Sequence, residues 1–163
     1  WNVSLIDTGL NAMTGARIKK AKPYLNNEPF LLTYGDGVAN IDIEDQIKFH
    51  NAHNGIVTMT AVQPDGRFGA FESSEDSKVL KFTEKPIGDG SWINGGYFVC
   101  ESELFDFIPF GDDVVFEQGP LNNLSDKSLL YSYRHSGFWK CMDTLRDKKD
   151  LDRLAQSENI PWL

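Results

Sequence analysis

Apolar residues along the chain come in short bursts separated by polar or glycine-rich breaks, and the spacing within each burst shifts between a strand period and a helix period. Val3 to Ile6 predicts a strand, closed by the turn residues Asp7-Thr8-Gly9. Thr14-Gly15 then opens a helix in which Ile18, Ala21 and Leu25 recur at i, i+3 and i+7. Phe30-Leu31-Leu32-Thr33-Tyr34 is an apolar run of the kind found in buried strands, and it stops abruptly at Gly35-Asp36-Gly37. Asp42 predicts the cap of a second helix, with Ile43, Ile47 and His50 on one face and Asn54-Gly55 at its end. The β-branched run Ile56 to Val62 predicts a central strand.

Phe68 to Glu72 and Lys78 to Thr83 flank the polar stretch Ser73 to Ser77 and predict a hairpin. Ile93 to Cys100 reads as a strand, and Ser102 as the cap of a helix carrying Leu104, Phe105 and Ile108. A short helix is expected after Phe116, and a strand over Leu129 to His135. Thr144 with Asp147 three residues later resembles a capping box ahead of Leu151, Leu154 and Ala155. This order predicts a mixed α/β sheet with helices on both faces, in which ligands sit beyond the carboxyl ends of the strands.

Length and charge narrow the functional classes. The 163 residues fit one domain portion without a linker or repeat, and the formal net charge is −8. That balance argues against a general nucleic-acid binder, which replaces phosphate counterions with its own cations. It leaves open a phosphorylated small molecule held by a few local cations. Cys100 and Cys141 cannot build a disulfide framework, which predicts a reducing cytoplasm. No apolar run approaches the roughly 20 residues of a membrane span. The first residue is Trp1, already at the edge of a strand, which suggests a fragment of a longer chain.

Several residues are candidates for chemistry. Asp36, on a glycine-flanked turn after a buried strand, has the position of a Mg²⁺ ligand, although an Asp-Gly pair also makes an ordinary turn. Asp143 precedes a helix, where an acid is stabilising for structural reasons alone; two such aspartates would also suffice for one divalent ion that shares substrate phosphates. Glu84-Lys85-Pro86 offers an acceptor beside a cation, suited to a sugar hydroxyl and a phosphate, or equally an edge charge pair. Asn94-Gly95-Gly96 offers an amide and bare backbone, or a simple turn. Arg17 sits in the first turn of its helix, where a cation opposes the helix dipole and favours an anionic partner. His50 and His53 are three apart without a completing zinc spacing and read as structural.

Taken in order, these strings resemble the sugar-1-phosphate nucleotidyltransferases along nearly the whole chain. The matching segments are Trp1-Asn2-Val3, Asp7-Thr8-Gly9, Met13-Thr14-Gly15 with Arg17, Thr33 to Val38, Gly66 to Ala70, Glu84-Lys85-Pro86 with Gly88-Asp89-Gly90, and Ile93 to Gly96. Glu117 with Pro120-Leu121, Gly137-Phe138-Trp139 and Met142 to Asp147 complete the series. The resemblance implies a Rossmann-like fold of the nucleotide-diphospho-sugar transferase type. It implies transfer of a cytidylyl group from CTP to α-D-glucose 1-phosphate, giving CDP-glucose and pyrophosphate for dideoxysugar and O-antigen synthesis. Asp36 and Asp143 match its Mg²⁺ ligands; Arg17 and Gly35 match its nucleotide side; Gly69, Glu84, Lys85 and Asn94 match its sugar-phosphate side; Thr14 and Gly95 match substrate-binding positions. Lys85 and Arg17 are the expected catalytic cations. A cytoplasmic homo-oligomer is expected.

The family's opening strand and its Gly-Gly-x-Gly-Thr-Arg-Leu loop, which cradles the triphosphate, have no counterpart in these residues. The chain therefore reads as the sugar-binding and C-terminal portion of a nucleotidyltransferase, expected to be inactive alone. Lys140-Cys141 also departs from the family pattern. Two other readings remain open at this point: a non-catalytic sugar-phosphate-binding or regulatory module, and a metal-dependent glycosyltransferase of similar fold. The second would want a D-x-D pair, and Asp36-Gly37-Val38 lacks the second acid.

Overall fold

The computed structural model of the chain describes residues 1–64, 66, 70–83 and 91–163. In chain order the elements are α1 (Thr14–Ala21), β1 (Phe30–Thr33), β2 (Gly37–Ala39), α2 (Ile43–Asn51), β3 (Val57–Val62), β4 (Ala70–Ser73), β5 (Val79–Thr83), β6 (Ile93–Cys100), α3 (Leu104–Phe107), α4 (Pro120–Asp126), β7 (Leu130–His135), β8 (Trp139–Cys141) and α5 (Leu145–Ala155). A four-stranded sheet runs in the order β1-β6-β3-β7, and β2 pairs with β8 and β4 with β5 in two smaller sheets. The fold is a mixed α/β arrangement. Strand chemistry follows position: β3 is buried at five of its six residues, whereas the outer strand β1 alternates half-buried and exposed. Strands with two neighbours need apolar residues on both faces, and outer strands need them on one.

The chain divides into two compact units, Trp1–Leu32 with Asp45–Met59 and Phe98–Tyr131, and Thr33–Glu44 with Thr60–Tyr97 and Ser132–Leu163. In the first unit, Phe98, Leu104, Phe105, Ile108, Phe116 and Leu124 are each at most 2% exposed and form the core. Phe98 meets Phe116 edge to face at 5.6 Å, and Phe30 stacks on Phe105 at 5.5 Å. Helix α1 closes on this core through Gly15: its N–H donates to the Val114 carbonyl at 2.9 Å, and a Cβ there would lie 2.7 Å from Val114 Cγ1. In the second unit, α5 begins with the capping box the sequence predicts. The Asp147 N–H donates to Thr144 Oγ1 at 3.2 Å, and the Thr144 N–H donates to Asp147 Oδ2 at 3.0 Å.

Two local expectations are corrected. Residues 3–6 are not a strand; Val3 and Leu5 are 74% and 96% exposed, and the segment pairs with no strand among the described residues. Alternation supplies propensity, but a strand also needs a ladder partner for its N–H and C=O groups. Ser102 does not cap α3: the N-cap residue is Glu103, and the Ser102 hydroxyl donates to the Glu103 carboxylate at 3.1 Å. No helix among the described residues is long and apolar enough to cross a membrane.

Candidate active site

The turn Gly35-Asp36-Gly37 leads directly into β2, and Asp143 follows the end of β8. These two strands are antiparallel, with Gly37 opposite Cys141, Val38 opposite Lys140 and Ala39 opposite Trp139. One step beyond the ladder the same register is kept: the Met142 N–H donates to the Asp36 carbonyl at 2.8 Å. The pairing thus brings the backbone of Asp36 against the residue preceding Asp143. Both aspartates are exposed. Asp143 Oδ2 accepts from the Cys141 thiol at 3.2 Å, and Asp143 precedes the N-cap of α5, whose unsatisfied N–H groups favour negative charge.

A second set of contacts within the same unit ties this ladder to β6. The Tyr97 hydroxyl donates to the Gly37 carbonyl at 2.8 Å, and the Trp139 indole N–H donates to the Gly95 carbonyl at 2.8 Å. Burial pushes the Tyr97 phenol above the ordinary tyrosine range, so it stays a hydroxyl donor at neutral pH. Asn94 Oδ1 accepts from the Gly96 N–H at 2.9 Å, and its amide nitrogen faces the Tyr34 hydroxyl at 3.4 Å. Gly96 has φ +79°, and a Cβ there would sit 2.8 Å from the Tyr34 ring. Asn94-Gly95-Gly96 is therefore part of a strand rather than a free turn, and its bare backbone makes room for Val62 and Tyr34.

Thr14 and Arg17 lie in the other unit. The Thr14 hydroxyl accepts from the Phe116 N–H at 2.9 Å and donates to Glu117 Oε2 at 2.8 Å. The exposed Arg17 guanidinium donates to Thr8 Oγ1 at 2.6 Å and to the Leu10 carbonyl at 3.3 Å. Among the described residues its hydrogen-bond partners are thus neutral oxygens of the 8–10 loop. Gly69, Glu84 and Lys85 fall outside the described residues.

The donor chemistry of Asp36 and Asp143 fits a hard divalent cation. No group of three or more His, Cys, Asp or Glu among the described residues is arranged to hold a metal ion. Mg²⁺ does not need one, because it keeps several waters and is bound by one or two carboxylates together with substrate phosphates. Sequence reasoning missed Tyr97, Trp139 and the Met142 N–H, which hold the aspartate-bearing ladder in place. Strands of three residues carry too little periodicity to be seen, and Gly137-Phe138-Trp139 stood out only as a string shared with the family.

Comparison with known proteins supplies the family. The chain matches the nucleotidyl transferase family over residues 9–139. It is 47% identical over 163 residues to the glucose-1-phosphate cytidylyltransferases of Salmonella typhi and of Salmonella typhimurium, a match covering 99% of this chain and 63% of each relative. The chain therefore spans less than two thirds of the length of these relatives. Among solved structures, UDP-glucose pyrophosphorylase in complex with UDP-glucose superimposes with a TM-score of 0.63 at 10% identity, covering 90% of this chain and 63% of that one. That similarity is one of fold. The chain belongs to the nucleotidyl transferase family.

Proposed function

We propose that the protein to which this chain belongs transfers a cytidylyl group from CTP to α-D-glucose 1-phosphate, releasing CDP-glucose and pyrophosphate. The observation that carries the reading is the β2–β8 register, which brings Asp36 beside the segment that ends in Asp143. The 47% identity to two glucose-1-phosphate cytidylyltransferases supports the choice of nucleotide and sugar.

In this reading Asp36 and Asp143 hold Mg²⁺, which when bound neutralises phosphate charge and links the nucleotide phosphates to the protein. Arg17 and Gly35 serve the nucleotide side, Gly69, Glu84, Lys85 and Asn94 the sugar-phosphate side, and Thr14 and Gly95 bind substrate. The sugar phosphate is already an anionic nucleophile at neutral pH, so the reaction requires neither a general base nor a protein nucleophile. What the residues supply is alignment of its oxygen with the α-phosphorus, and charge balance from Arg17 and Lys85. Alignment of this kind is worth on the order of 7–11 kcal/mol of the barrier. CDP-glucose would feed dideoxysugar synthesis for bacterial surface polysaccharide. Two free cysteines accord with a cytoplasmic protein.

The test is pyrophosphate release from CTP, glucose 1-phosphate and Mg²⁺, comparing the complete protein with this 163-residue chain. The complete protein is expected to turn over with CTP in preference to other nucleoside triphosphates, and the chain alone to be inactive. Preference for another nucleotide overturns the substrate assignment. Turnover by the chain alone near about 1 per second, within the ordinary enzyme range, overturns its incompleteness.

A further inference from the structure

A buried hydrogen-bond chain, unrelated to the aspartate pair, runs through the first unit. His50, on the last turn of α2, is 2% exposed, and Thr58 on β3 is fully buried. His50 Nδ1 lies 2.8 Å from Thr58 Oγ1, and His50 Nε2 lies 3.2 Å from Glu101 Oε1. His53 Nε2 lies 2.8 Å from the same Thr58 oxygen, and the Gly55 N–H donates to His53 Nδ1 at 3.0 Å.

The Gly55 end of this chain dictates the proton position on His53. The Gly55 N–H can only donate, so His53 Nδ1 carries a lone pair and its proton resides on Nε2, donated to Thr58 Oγ1. The Glu101 carboxylate accepts from His50 Nε2. The Thr58 hydroxyl oxygen accepts from His53 Nε2 and lies within hydrogen-bond distance of His50 Nδ1.

A proton added to His53 has nowhere to go but Nδ1, where it faces the Gly55 N–H, donor against donor. Tyr131 of β7 stacks on the ring at 3.8 Å and 7°, with Phe49 at 5.4 Å and His50 at 5.2 Å edge-on, so tilting the ring out of its plane would break these contacts. Gly55 packs closely here as well: a Cβ on it would meet Tyr131 Cδ2 at 2.4 Å and the Leu129 carbonyl at 3.0 Å. The titratable groups facing His53 are His50 from α2 and Tyr131 from β7, and Glu101 after β6 faces His50. We propose that this chain is an acid-sensitive latch, which holds the end of α2 and the 52–55 turn onto β3 and β7 while His53 is neutral and releases them when His53 is protonated. Consistent with this, burial first and the neighbouring His50 second hold the His53 imidazole below the ordinary histidine range.

The sign of the effect follows. Because the folded state resists protonating His53, its contribution to stability is complete above the unfolded histidine value near pH 6.5 and is lost as pH falls toward the lower folded value. The experiment uses the complete protein to which this chain belongs. Nitrogen-15 NMR at pH 8 is expected to find His53 protonated on Nε2. On acidification, Gly55 amide exchange, corrected for its intrinsic pH dependence, is expected to rise with the midpoint of His53 titration. Between pH 7.5 and 5.5 the wild-type melting temperature is expected to fall by about 2–4 °C more than that of His53→Gln, which keeps a donor and an acceptor but does not titrate. A proton on Nδ1 of His53, or Gly55 protection that is unmoved by acid, overturns the latch. So do parallel melting curves for the two proteins; if His53→Gln fails to fold, the two wild-type measurements decide.

Discussion

The Met142 main-chain N–H donates to the Asp36 carbonyl at 2.8 Å, continuing the β2–β8 register one residue past the ladder. The carboxylate of Asp36 makes no hydrogen bond with the described residues, so the ladder is held by backbone while this side chain is left for other work. Replacement of Asp36 or Asp143 by Asn in the complete protein is accordingly expected to abolish nucleotidyl transfer while leaving the melting temperature nearly unchanged. Steady-state rates at saturating Mg²⁺ check it, and a variant within threefold of wild type would remove that residue from the metal site.

Gly15 gives a prediction opposite to the usual rule for helices. Gly to Ala within a helix ordinarily gains roughly 0.5–1 kcal/mol. Here the new methyl would lie 2.7 Å from Val114 Cγ1 and 2.9 Å from the Val114 carbonyl oxygen. Gly15→Ala is therefore expected to cost about 1–3 kcal/mol through overpacking. Urea unfolding measures it, and a stabilised variant would show that the 114 segment yields.

The start of α5 depends on the Thr144 side chain. Thr144→Ala removes the oxygen that accepts from the Asp147 N–H and is expected to cost about 0.5–2 kcal/mol, whereas Thr144→Ser is expected to be nearly neutral. Thermal melting of the two variants compared with wild type distinguishes cap loss from any effect of side-chain size.

Asp150 sets an acid limit on the attachment of β8 to α5. Its carboxylate accepts from Lys140 Nζ at 3.2 Å and also pairs with Arg153. The Lys140 hydrogen bond first, then the charges of Lys140 and Arg153, hold its carboxyl below the ordinary aspartate value. The stabilisation is therefore present above that ordinary value and disappears as pH falls through the lower folded one. Melting curves of wild type and Asp150→Asn are expected to differ at neutral pH and to draw together as pH falls below the ordinary aspartate value. A constant gap would assign the difference to packing instead.

The chain order of elements is legible in the sequence because the helical and strand periods of α2, β3, β6 and α5 are long enough to repeat, and because Thr144 and Asp147 are spaced to cap each other. Asp36 and Asp143 were recognisable as site candidates from local turn and cap chemistry and from the order of the surrounding strings. Their neighbourhood was not: β2 and β8 are three residues each, and what joins them is a register of backbone hydrogen bonds to which side-chain pattern contributes little. The tertiary structure likewise decided why Gly95 and Gly96 are glycines, since the reason is the Val62 side chain on one and the Tyr34 ring on the other. His50 and His53 make the same point. Their spacing marked them as structural, but the Gly55 N–H fixes the proton of His53, and only folding brings Glu101 to His50. Sequence determines which groups are present and which local conformation each prefers. Long-range pairing decides which donor meets which acceptor, because a hydrogen bond between distant segments exists only where folding brings both ends within about 3 Å.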